Sequence, residues 1–296
     1  MSNDGTTHLT VDMYNNKLKN PHIADPNKLV FIVDHNVPSD SPKTAASQKK
    51  MRDFAKENHI DFWEGKGVCH QVMIENYEGA KTLSISDRMA LCNMAVEAGA
   101  KTGIFEADEK AIEYLKEHGR EPKTVYHSDP DAVYAREYTF DLSKVRPVVA
   151  KPDFVDNVVP AEETCGIEIN EAFLGSCNNG RIEDLRVGAE IIKGKKVAEG
   201  VRFLVVPASQ TIYRQALKEG LLDIFMDAGA IVMNPNCSVC WGSCQGVIGE
   251  NEVLISTGTR NFKGRAGHPS SKVYLGSAAT VTASAIAGKI ALASEV

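Results

Sequence analysis

Short apolar runs alternate with stretches of helical periodicity along the second half of the chain. Apolar runs of four or five residues are typical of buried strands, and apolar positions spaced three or four apart are typical of helices. Strands that alternate with helices predict a parallel sheet covered on both faces. The predicted elements are strand 172–175, helix 182–192, strand 202–206, helix 210–219, strand 230–233, strand 253–256 and helix 278–293.

The first half of the chain shows the same patterns less regularly. Residues 28–34 form an apolar run that predicts a buried strand, and helical spacing follows at 43–58. Two further helices are predicted at 84–98 and 108–118. Several prolines and short extended runs make 125–160 the candidate connection between two parts. The pattern as a whole predicts an α/β protein.

Composition narrows the classes of protein that remain. The 296 residues are 43% hydrophobic and 24% charged, which is typical of a globular chain rather than a disordered one. A net charge of -6 argues against a nucleic-acid or anionic-membrane surface. No apolar run has the length of a membrane span, and the first residues do not resemble a signal peptide. We therefore expect a cytoplasmic protein.

The seven cysteines carry the main chemical signal. An odd count in a sizeable acidic chain fits a reducing compartment better than a disulfide framework. Cys177 stands in a glycine-flanked segment, and Cys237 and Cys240 form a Cys-x-x-Cys pair. Three thiolates are one ligand short of a closed metal site, so the set suggests an iron–sulfur cluster with one iron open to substrate. The pair alone is equally compatible with structural zinc, redox chemistry or packing.

The predicted sheet should bring these cysteines together. Cys177 and the Cys237–Cys240 pair each follow a predicted strand, and sites in parallel sheets form in the loops beyond the carboxyl ends of strands. Cys244 is a helical neighbour of Cys240 in the sequence pattern, so we expect it to be packed rather than to act as a ligand. The prediction is a three-thiolate site at one edge of the sheet.

Two arginines lie in the loop after another predicted strand. Arg260 and Arg265 have planar guanidinium groups suited to a carboxylate, and they follow strand 253–256. A solvated basic loop is the alternative. Because this loop leaves the same predicted sheet as the cysteines, carboxylate binding is the more specific hypothesis.

Further polar residues are weaker candidates. Asp34 and His35 end the first predicted strand, where a carboxylate-oriented imidazole could transfer protons, although such a pair is more often a capping turn. His70 has the same ambiguity. Asn93 and Glu97 are four residues apart on a predicted helix and so share a face, which in most helices simply meets water.

Together these stretches resemble the aconitase superfamily, most closely the large subunits of 3-isopropylmalate dehydratase and homoaconitase. The resemblance extends over nearly the whole chain. It is carried by residues 34–38 (DHNVP), 67–71 (GVCHQ), 91–94 (LCNM), 175–181 (GSCNNGR), 234–240 (NPNCSVC) and 260–265 (RNFKGR).

The resemblance implies a fold and a division of the chain. The expected fold is the aconitase-like three-layer αβα arrangement, with mostly parallel sheets, helices on both faces and a reduced middle. Residues 1–80 would be a remnant of the first α/β domain and 81–150 a shortened second domain with its linker. Residues 151–296 would be the cluster-binding α/β domain.

The resemblance also implies an activity. Such enzymes are iron–sulfur hydro-lyases that isomerise a hydroxy di- or tricarboxylate, such as isopropylmalate, by dehydration and rehydration. A [4Fe-4S] cluster, prone to loss in oxygen, would be held by Cys177, Cys237 and Cys240. Asp34 and His35 would help to protonate the departing hydroxide, with His70 close by. The substrate or iron-bound water would be held by Asn93 and Glu97, and the substrate carboxylate by Arg260 and Arg265.

Several features depart from the family pattern. A block of well over a hundred residues that normally follows the His-Gln segment is missing, the start of the chain looks clipped, and Thr259 replaces a common asparagine. The family's base, a serine on a swivelling domain, has no counterpart here, so a small-subunit partner is implied. The alternatives are a shortened or engineered non-catalytic form, a homoaconitase or dimethylmalate dehydratase large subunit, and a structural zinc protein.

Overall fold

The computed structural model describes two compact units, Met1–Val145 and Arg146–Val296. The described residues are 29–33, 71–74, 78–98, 100, 102–128, 131–132, 134 and 138–296. The helix predicted at 43–58 lies outside them. The boundary between the units falls inside the predicted connection at 125–160, and the division into three domains stays a prediction.

The described part of the first unit contains a mixed four-stranded sheet. Its strands are β1 (Leu29–Val33), β2 (Gln71–Ile74), β3 (Thr102–Phe105) and β4 (Thr139–Phe140). Their order is β3-β2-β1-β4; β2 and β3 are parallel, and β1 is antiparallel to both β2 and β4. Strand β1 confirms the strand predicted at 28–34.

Among the described residues of this unit, three helices accompany the sheet: α1 (Glu78–Thr82), α2 (Ile85–Met94) and α3 (Glu109–Glu117). Helix α2 begins where Ser84 and Asp87 form a capping box, and it continues as a 3₁₀ turn at Ala95–Ala98. The side chain of Asp108 accepts a hydrogen bond from a backbone amide in the first turn of α3. The helices predicted at 84–98 and 108–118 are therefore confirmed.

A partly buried ion pair joins α2 to the start of α3. The guanidinium of Arg88 donates two hydrogen bonds of 2.7 Å to the carboxylate of Asp108 and lies 4.5 Å from the ring centroid of Phe105. Arg88 is 4% exposed, so this pair is largely shielded from water. At Gly103 an added Cβ would lie 2.8 Å from the backbone of Cys92, which shows how closely β3 approaches α2. Charge pairing and close backbone packing therefore hold this part of the unit together.

The second unit is built on a seven-stranded sheet ordered β6-β5-β11-β10-β7-β8-β9. The strands are β5 (Val148–Ala150), β6 (Val158–Pro160), β7 (Glu171–Leu174), β8 (Arg202–Val205), β9 (Ile231–Val232), β10 (Val253–Ser256) and β11 (Lys272–Leu275). The five strands from β11 to β9 in that order are parallel, and the hairpin β5–β6 adds an antiparallel edge. The predicted mostly parallel α/β sheet is confirmed.

The helices of this unit follow the predicted alternation. They are α4 (Ser176–Asn179), α5 (Ile182–Ile192), α6 (Gln210–Lys218), α7 (Leu221–Asp227) and α8 (Ala278–Ala287). The last helix was predicted to reach residue 293 but ends at Ala287, because Gly288 adopts a left-handed conformation with φ 74°. Helix α7 was not predicted as a separate element; Gly220, with φ 71°, separates it from α6.

Successive strand residues point to two different cores. Ala172 and Leu174 of β7 join a cluster formed with helices α5 to α8, whereas Phe173 between them joins a second cluster. The second cluster includes Val239 and Ile248, so the long segment between β9 and β10 covers this face of the sheet. The sheet is therefore fixed from both sides. Within the part of the chain that the structure describes, no helix combines the length and apolar character that a membrane crossing requires.

Candidate functional site

The strand order places a topological switch point between β7 and β10. From β7 the chain proceeds outward through β8 to β9, then returns to build β10 and β11 on the other side of β7. The loops after β7 and β10 therefore leave the same edge of the sheet in opposite directions, which opens a crevice at the carboxyl ends of the strands. Cys177 lies in the first of these loops and Arg260 in the second. The sheet topology itself supplies the position of the candidate site.

Cys177 is held on a short, tightly constrained turn. Helix α4 has only four residues, and Ser176 at its start is 3% exposed and has a φ of 84°. A positive φ is uncommon for a residue other than glycine and costs free energy. The hydroxyl of Ser176 accepts hydrogen bonds from the amides of Asn178 (3.3 Å) and Asn179 (3.2 Å). The Cys177 thiol between these groups is exposed and free.

Cys237 and Cys240 occupy a second constrained turn after β9. Ser238 is completely buried and has a φ of 44°. Its amide donates a hydrogen bond of 2.6 Å to the side chain of Asn236, and its hydroxyl donates one of 2.8 Å to the carbonyl of Gln245. Ser238–Cys240 form a 3₁₀ turn. A strained serine next to a cysteine thus occurs on both turns, which is typical of functional sites.

The three thiols are electrostatically linked. Burial raises the pKa of the Cys240 thiol above its ordinary value, and the guanidinium of Arg265 lowers it. Negative charge on Cys177, and to a smaller extent on Cys237, raises that pKa further, so both thiols lie close enough to act on Cys240. The amide of Thr259 hydrogen-bonds the Cys240 sulfur and favours the thiolate. The structure therefore brings together the three cysteines that the sequence predicted to converge.

The distances between these groups are not those of a single-ion site. Among the described residues, no three His, Cys, Asp or Glu side chains are arranged to hold one metal ion. In an iron–sulfur cluster each thiolate binds a different iron, so the ligands do not have to meet at one point. Three free thiols that lie close together without meeting at one point are consistent with that larger kind of group.

Cys244 differs from its prediction. Packing of this side chain was expected, but the thiol is exposed. The helical continuation from Cys240 does not form, because Gly242 has a φ of 71° and approaches the backbone of Arg265 so closely that no Cβ would fit. The expectation of a helical neighbour was therefore wrong.

The two arginines border the thiols. The Nε of Arg265 donates a hydrogen bond of 2.8 Å to the carbonyl of Cys240, and Nη1 of Arg260 donates one of 2.8 Å to Oγ1 of Thr259. Asn261 anchors their loop: it is 1% exposed, and its amide donates to the carbonyl of Lys151 at 2.9 Å. The arginine loop is therefore positioned by both the cysteine turn and the edge hairpin.

The remaining predicted residues lie in the first unit. Asn93 is half-buried in the last turn of α2, and Glu97 is buried in the 3₁₀ turn that follows. Their convergence on a substrate stays a prediction. Asp34, His35 and His70 lie outside the described residues, and their roles also stay predictions.

Two contributors to the site had no assigned role in the sequence. Asn261 stands inside the quoted arginine motif, and an asparagine beside two candidate binding residues is a usable signal. Thr257 is different, because a threonine in a run of small polar residues has no chemical signature. Only the strand order shows that it faces the Cys177 turn.

Sequence comparison supplies the family. The chain matches the aconitase family, described as "Aconitase family (aconitate hydratase)", over residues 77–166 and 160–288. The chain belongs to the aconitase family. Its similarity to the "3-isopropylmalate dehydratase large subunit" of Caldicellulosiruptor saccharolyticus is 50% identity over 225 residues, covering 76% of this chain and 52% of that protein. The protein of the same name from Aquifex aeolicus is 50% identical over 235 residues, which cover 78% of this chain and 54% of that protein.

A longer alignment involves a third relative. The "probable 3-isopropylmalate dehydratase large subunit" of Methanothermobacter thermautotrophicus is 36% identical over 381 residues, covering 98% of this chain and 91% of that protein. The alignment is longer than the 296 residues of this chain, so the relative has residues with no counterpart here. The chain spans about half the length of the Caldicellulosiruptor and Aquifex relatives.

Proposed function

We propose that this chain is the catalytic large subunit of an iron–sulfur hydro-lyase that isomerises a hydroxy di- or tricarboxylate such as isopropylmalate. The reaction removes water and adds it back at the neighbouring carbon. The observation that supports the proposal is the proximity of Cys177, Cys237 and Cys240 to one another and to Arg265 at the switch point of the sheet. The names of the relatives, each a dehydratase large subunit, support the same substrate class.

The donor set suits a [4Fe-4S] cluster, the group that the aconitase family implies. Cys177, Cys237 and Cys240 would hold it; their thiols are free, and those of Cys177 and Cys237 are exposed. Burial holds the pKa of the Cys240 thiol above its ordinary value, and the Arg265 guanidinium and the Thr259 amide oppose this effect by stabilising the thiolate that a ligand requires. When bound, the cluster supplies a Lewis-acidic iron that polarises the hydroxyl and carboxylate of the substrate.

The arginines bind and orient the carboxylates of the substrate. The Nε of Arg265 donates a hydrogen bond to the carbonyl of Cys240. Among the hydrogen bonds described for this chain, none uses its two terminal nitrogens. A guanidinium anchored through one nitrogen keeps a fixed orientation for a bidentate carboxylate contact. Arg260, anchored to Thr259, is proposed for the second contact.

Proton transfer is assigned by the resemblance alone. Asp34 and His35, with His70, would protonate the departing hydroxide, because hydroxide leaves readily only as water. Asn93 and Glu97 would position the substrate or its water. The words "large subunit" in the names of the relatives support a small-subunit partner, which would contribute the base serine on its swivelling domain.

Metal analysis tests the cluster. After anaerobic reconstitution with iron and sulfide, the parent chain should bind about four irons. Cys177→Ala, Cys237→Ala and Cys240→Ala should each lose iron, whereas Cys165→Ala and Cys244→Ala should retain it. Loss of iron in Cys244→Ala would replace the three-ligand site with a four-thiol site. Stoichiometric zinc in place of iron would overturn the proposal in favour of a structural metal site.

Turnover tests the reaction separately. The reconstituted chain is combined with a small subunit from a relative, and formation of the alkene product is followed by absorbance with isopropylmalate, homoisocitrate and dimethylmalate. Arg265→Lys keeps the charge but loses the planar fork, and should raise KM by about tenfold or more. Preference for another of these acids would assign the site to homoaconitase or dimethylmalate dehydratase chemistry.

A second candidate function has its own support. The Methanothermobacter relative contains residues with no counterpart in this chain. If those residues are needed to enclose the substrate, this chain is a shortened, non-catalytic form of the large subunit. A chain that binds the cluster but yields no alkene with any small subunit would support this second function.

A further inference from the structure

Thr257 faces the cysteine turn across the switch point. It is the first residue after β10, as Gly175 is the first after the adjacent strand β7. Thr257 is 3% exposed. Its amide donates a hydrogen bond of 3.0 Å to the carbonyl of Phe173, which continues the pairing of the two strands by one residue. The side chain is therefore fixed where the two loops begin to diverge.

The hydroxyl of Thr257 attaches one end of the turn that carries Cys177. The amide of Gly175 donates a hydrogen bond of 2.9 Å to Oγ1 of Thr257. The hydroxyl proton has an acceptor in the carbonyl of Gly175 at 3.0 Å. Replacing Oγ1 with a methyl group would leave a buried backbone amide without its partner, which is the costly way to lose a hydrogen bond.

The other end of the turn is attached to the same residue. The side-chain amide of Asn179 donates a hydrogen bond to the carbonyl of Thr257, and Oγ1 of Thr257 lies 3.3 Å from the carbonyl of Asn179. Cys177 stands between these two attachments. A four-residue helix with a positive φ at Ser176 has little stability of its own, so it depends on external contacts.

We propose that Thr257 is a positioning residue for Cys177: its hydroxyl fixes the turn that places this thiolate in the three-cysteine site. The inference rests on the proposed function in taking Cys177 as a cluster ligand. The Cys237–Cys240 turn has a separate attachment, from Ser238 to Gln245. Loss of the Thr257 hydroxyl therefore loosens the Cys177 turn and leaves the Cys237–Cys240 turn unchanged.

The matched variants are Thr257→Val, Thr257→Ser and Thr282→Val. Valine has the shape of threonine without the hydroxyl, and serine restores the hydroxyl. Thr282 is buried like Thr257, but its hydroxyl has no hydrogen-bond partner within the described structure, so Thr282→Val controls for the same substitution without a lost bond. Hydrogen exchange of the cluster-free chain is measured by mass spectrometry, and bound iron after anaerobic reconstitution.

In Thr257→Val, exchange should accelerate by about tenfold in residues 175–180 and stay at the parental rate in residues 237–242. Iron per chain should fall. Thr257→Ser and Thr282→Val should behave as the parent. A general structural contribution would instead accelerate exchange in both segments. If Thr257→Val does not fold, Asn179→Ala is used in its place, because it breaks the second attachment of the turn to Thr257. Faster exchange is then expected in residues 175–180 alone.

The role of Thr257 would be overturned if residues 175–180 exchanged at the parental rate in Thr257→Val, or in Asn179→Ala where that variant replaces it. Accelerated exchange in both segments would overturn it too. So would full iron binding by a folded Thr257→Val in which 175–180 is loosened. A parent chain that binds no iron would refute the proposed function, while the exchange experiment would still decide whether Thr257 holds the turn. The two failures are therefore distinguishable.

Discussion

Glu171→Gln should change how the stability of the second unit depends on pH. Glu171 begins β7 and is completely buried. Its Oε2 accepts a hydrogen bond of 2.8 Å from Nε of Arg202, while its Oε1 has no hydrogen-bond partner within the described structure. Arg202 also donates two hydrogen bonds, of 2.9 and 2.7 Å, to Glu252. One guanidinium thus serves a fully buried carboxylate and a more exposed one.

The ion pair with Arg202 does not fully offset the cost of burying the Glu171 carboxylate. Burial raises the pKa of Glu171 from 4.5 to about 7, although the hydrogen bond and charge of Arg202 act in the opposite direction. The folded chain therefore holds a proton that the unfolded chain releases between about pH 4.5 and 7, and stability falls as the pH rises through this window. At about 1.4 kcal/mol per pH unit, the loss is about 3 kcal/mol.

Glutamine has nearly the same shape and no charge, so it should remove this dependence. Urea unfolding of the parent and of Glu171→Gln is compared at pH 4.5 and pH 8, followed by circular dichroism. Relative to the parent, the variant should gain about 3 kcal/mol between the two pH values. Hydrogen exchange of peptides containing β7 assigns the change to this unit.

Glu252→Gln is a control with the opposite sign. The hydrogen bonds from Arg202 lower the pKa of Glu252, so its contribution is present above its ordinary pKa of 4.5 and is lost as the pH falls below it. The Glu252→Gln variant should therefore lose stability relative to the parent as the pH rises through that range. A parent-to-variant difference for Glu171→Gln that is constant from pH 4.5 to 8, or that changes in the same direction as for Glu252→Gln, would refute the reasoning.

Two further predictions concern the packing of the first unit. Arg88→Met leaves the partly buried carboxylate of Asp108 without its ion-pair partner and should cost about 2–3 kcal/mol, measured by thermal unfolding. Arg186→Met, which breaks an exposed pair, should leave the midpoint nearly unchanged, and equal losses would contradict this account. Gly103→Ala forces a Cβ to within 2.8 Å of the backbone of helix α2 and should cost about 1–3 kcal/mol. Gly249→Ala, whose Cβ meets nothing nearer than 3.5 Å, should be tolerated, and a tolerated Gly103→Ala would show that β3 can move away.

Regular periodicity predicted most of the second unit. Helix α5 has the predicted bounds, because its apolar positions recur at helical spacing between Arg181 and Lys193. Strand β11 was missed: Lys272 is exposed and only Val273 of its four residues is buried, so its apolar pattern is weak. Its strand conformation depends on pairing with β10, which lies outside the local sequence.

In the candidate site too, some residues were predictable from the local sequence and others were not. Cys177, Cys237 and Cys240 have a chemistry of their own, and their position after strands was readable from the pattern. Thr257 became visible only through the pairing of β10 with β7. Residues that hold other residues in place act through distance and strand order, which a local reading of sequence does not contain.

The switch point also sets the order in which the site can be assembled during folding. Strand β10 is later in the chain than all three cysteines, yet it inserts beside β7, the first parallel strand of the second unit to be made. A nascent chain that ends before Val253 already contains Cys177, Cys237 and Cys240 but not Thr257 or Arg260. Contacts between segments so distant in sequence form late. The thiols are thus synthesised well before the residues proposed to fix and surround them, and the proposed cluster site is complete only when the sheet is complete.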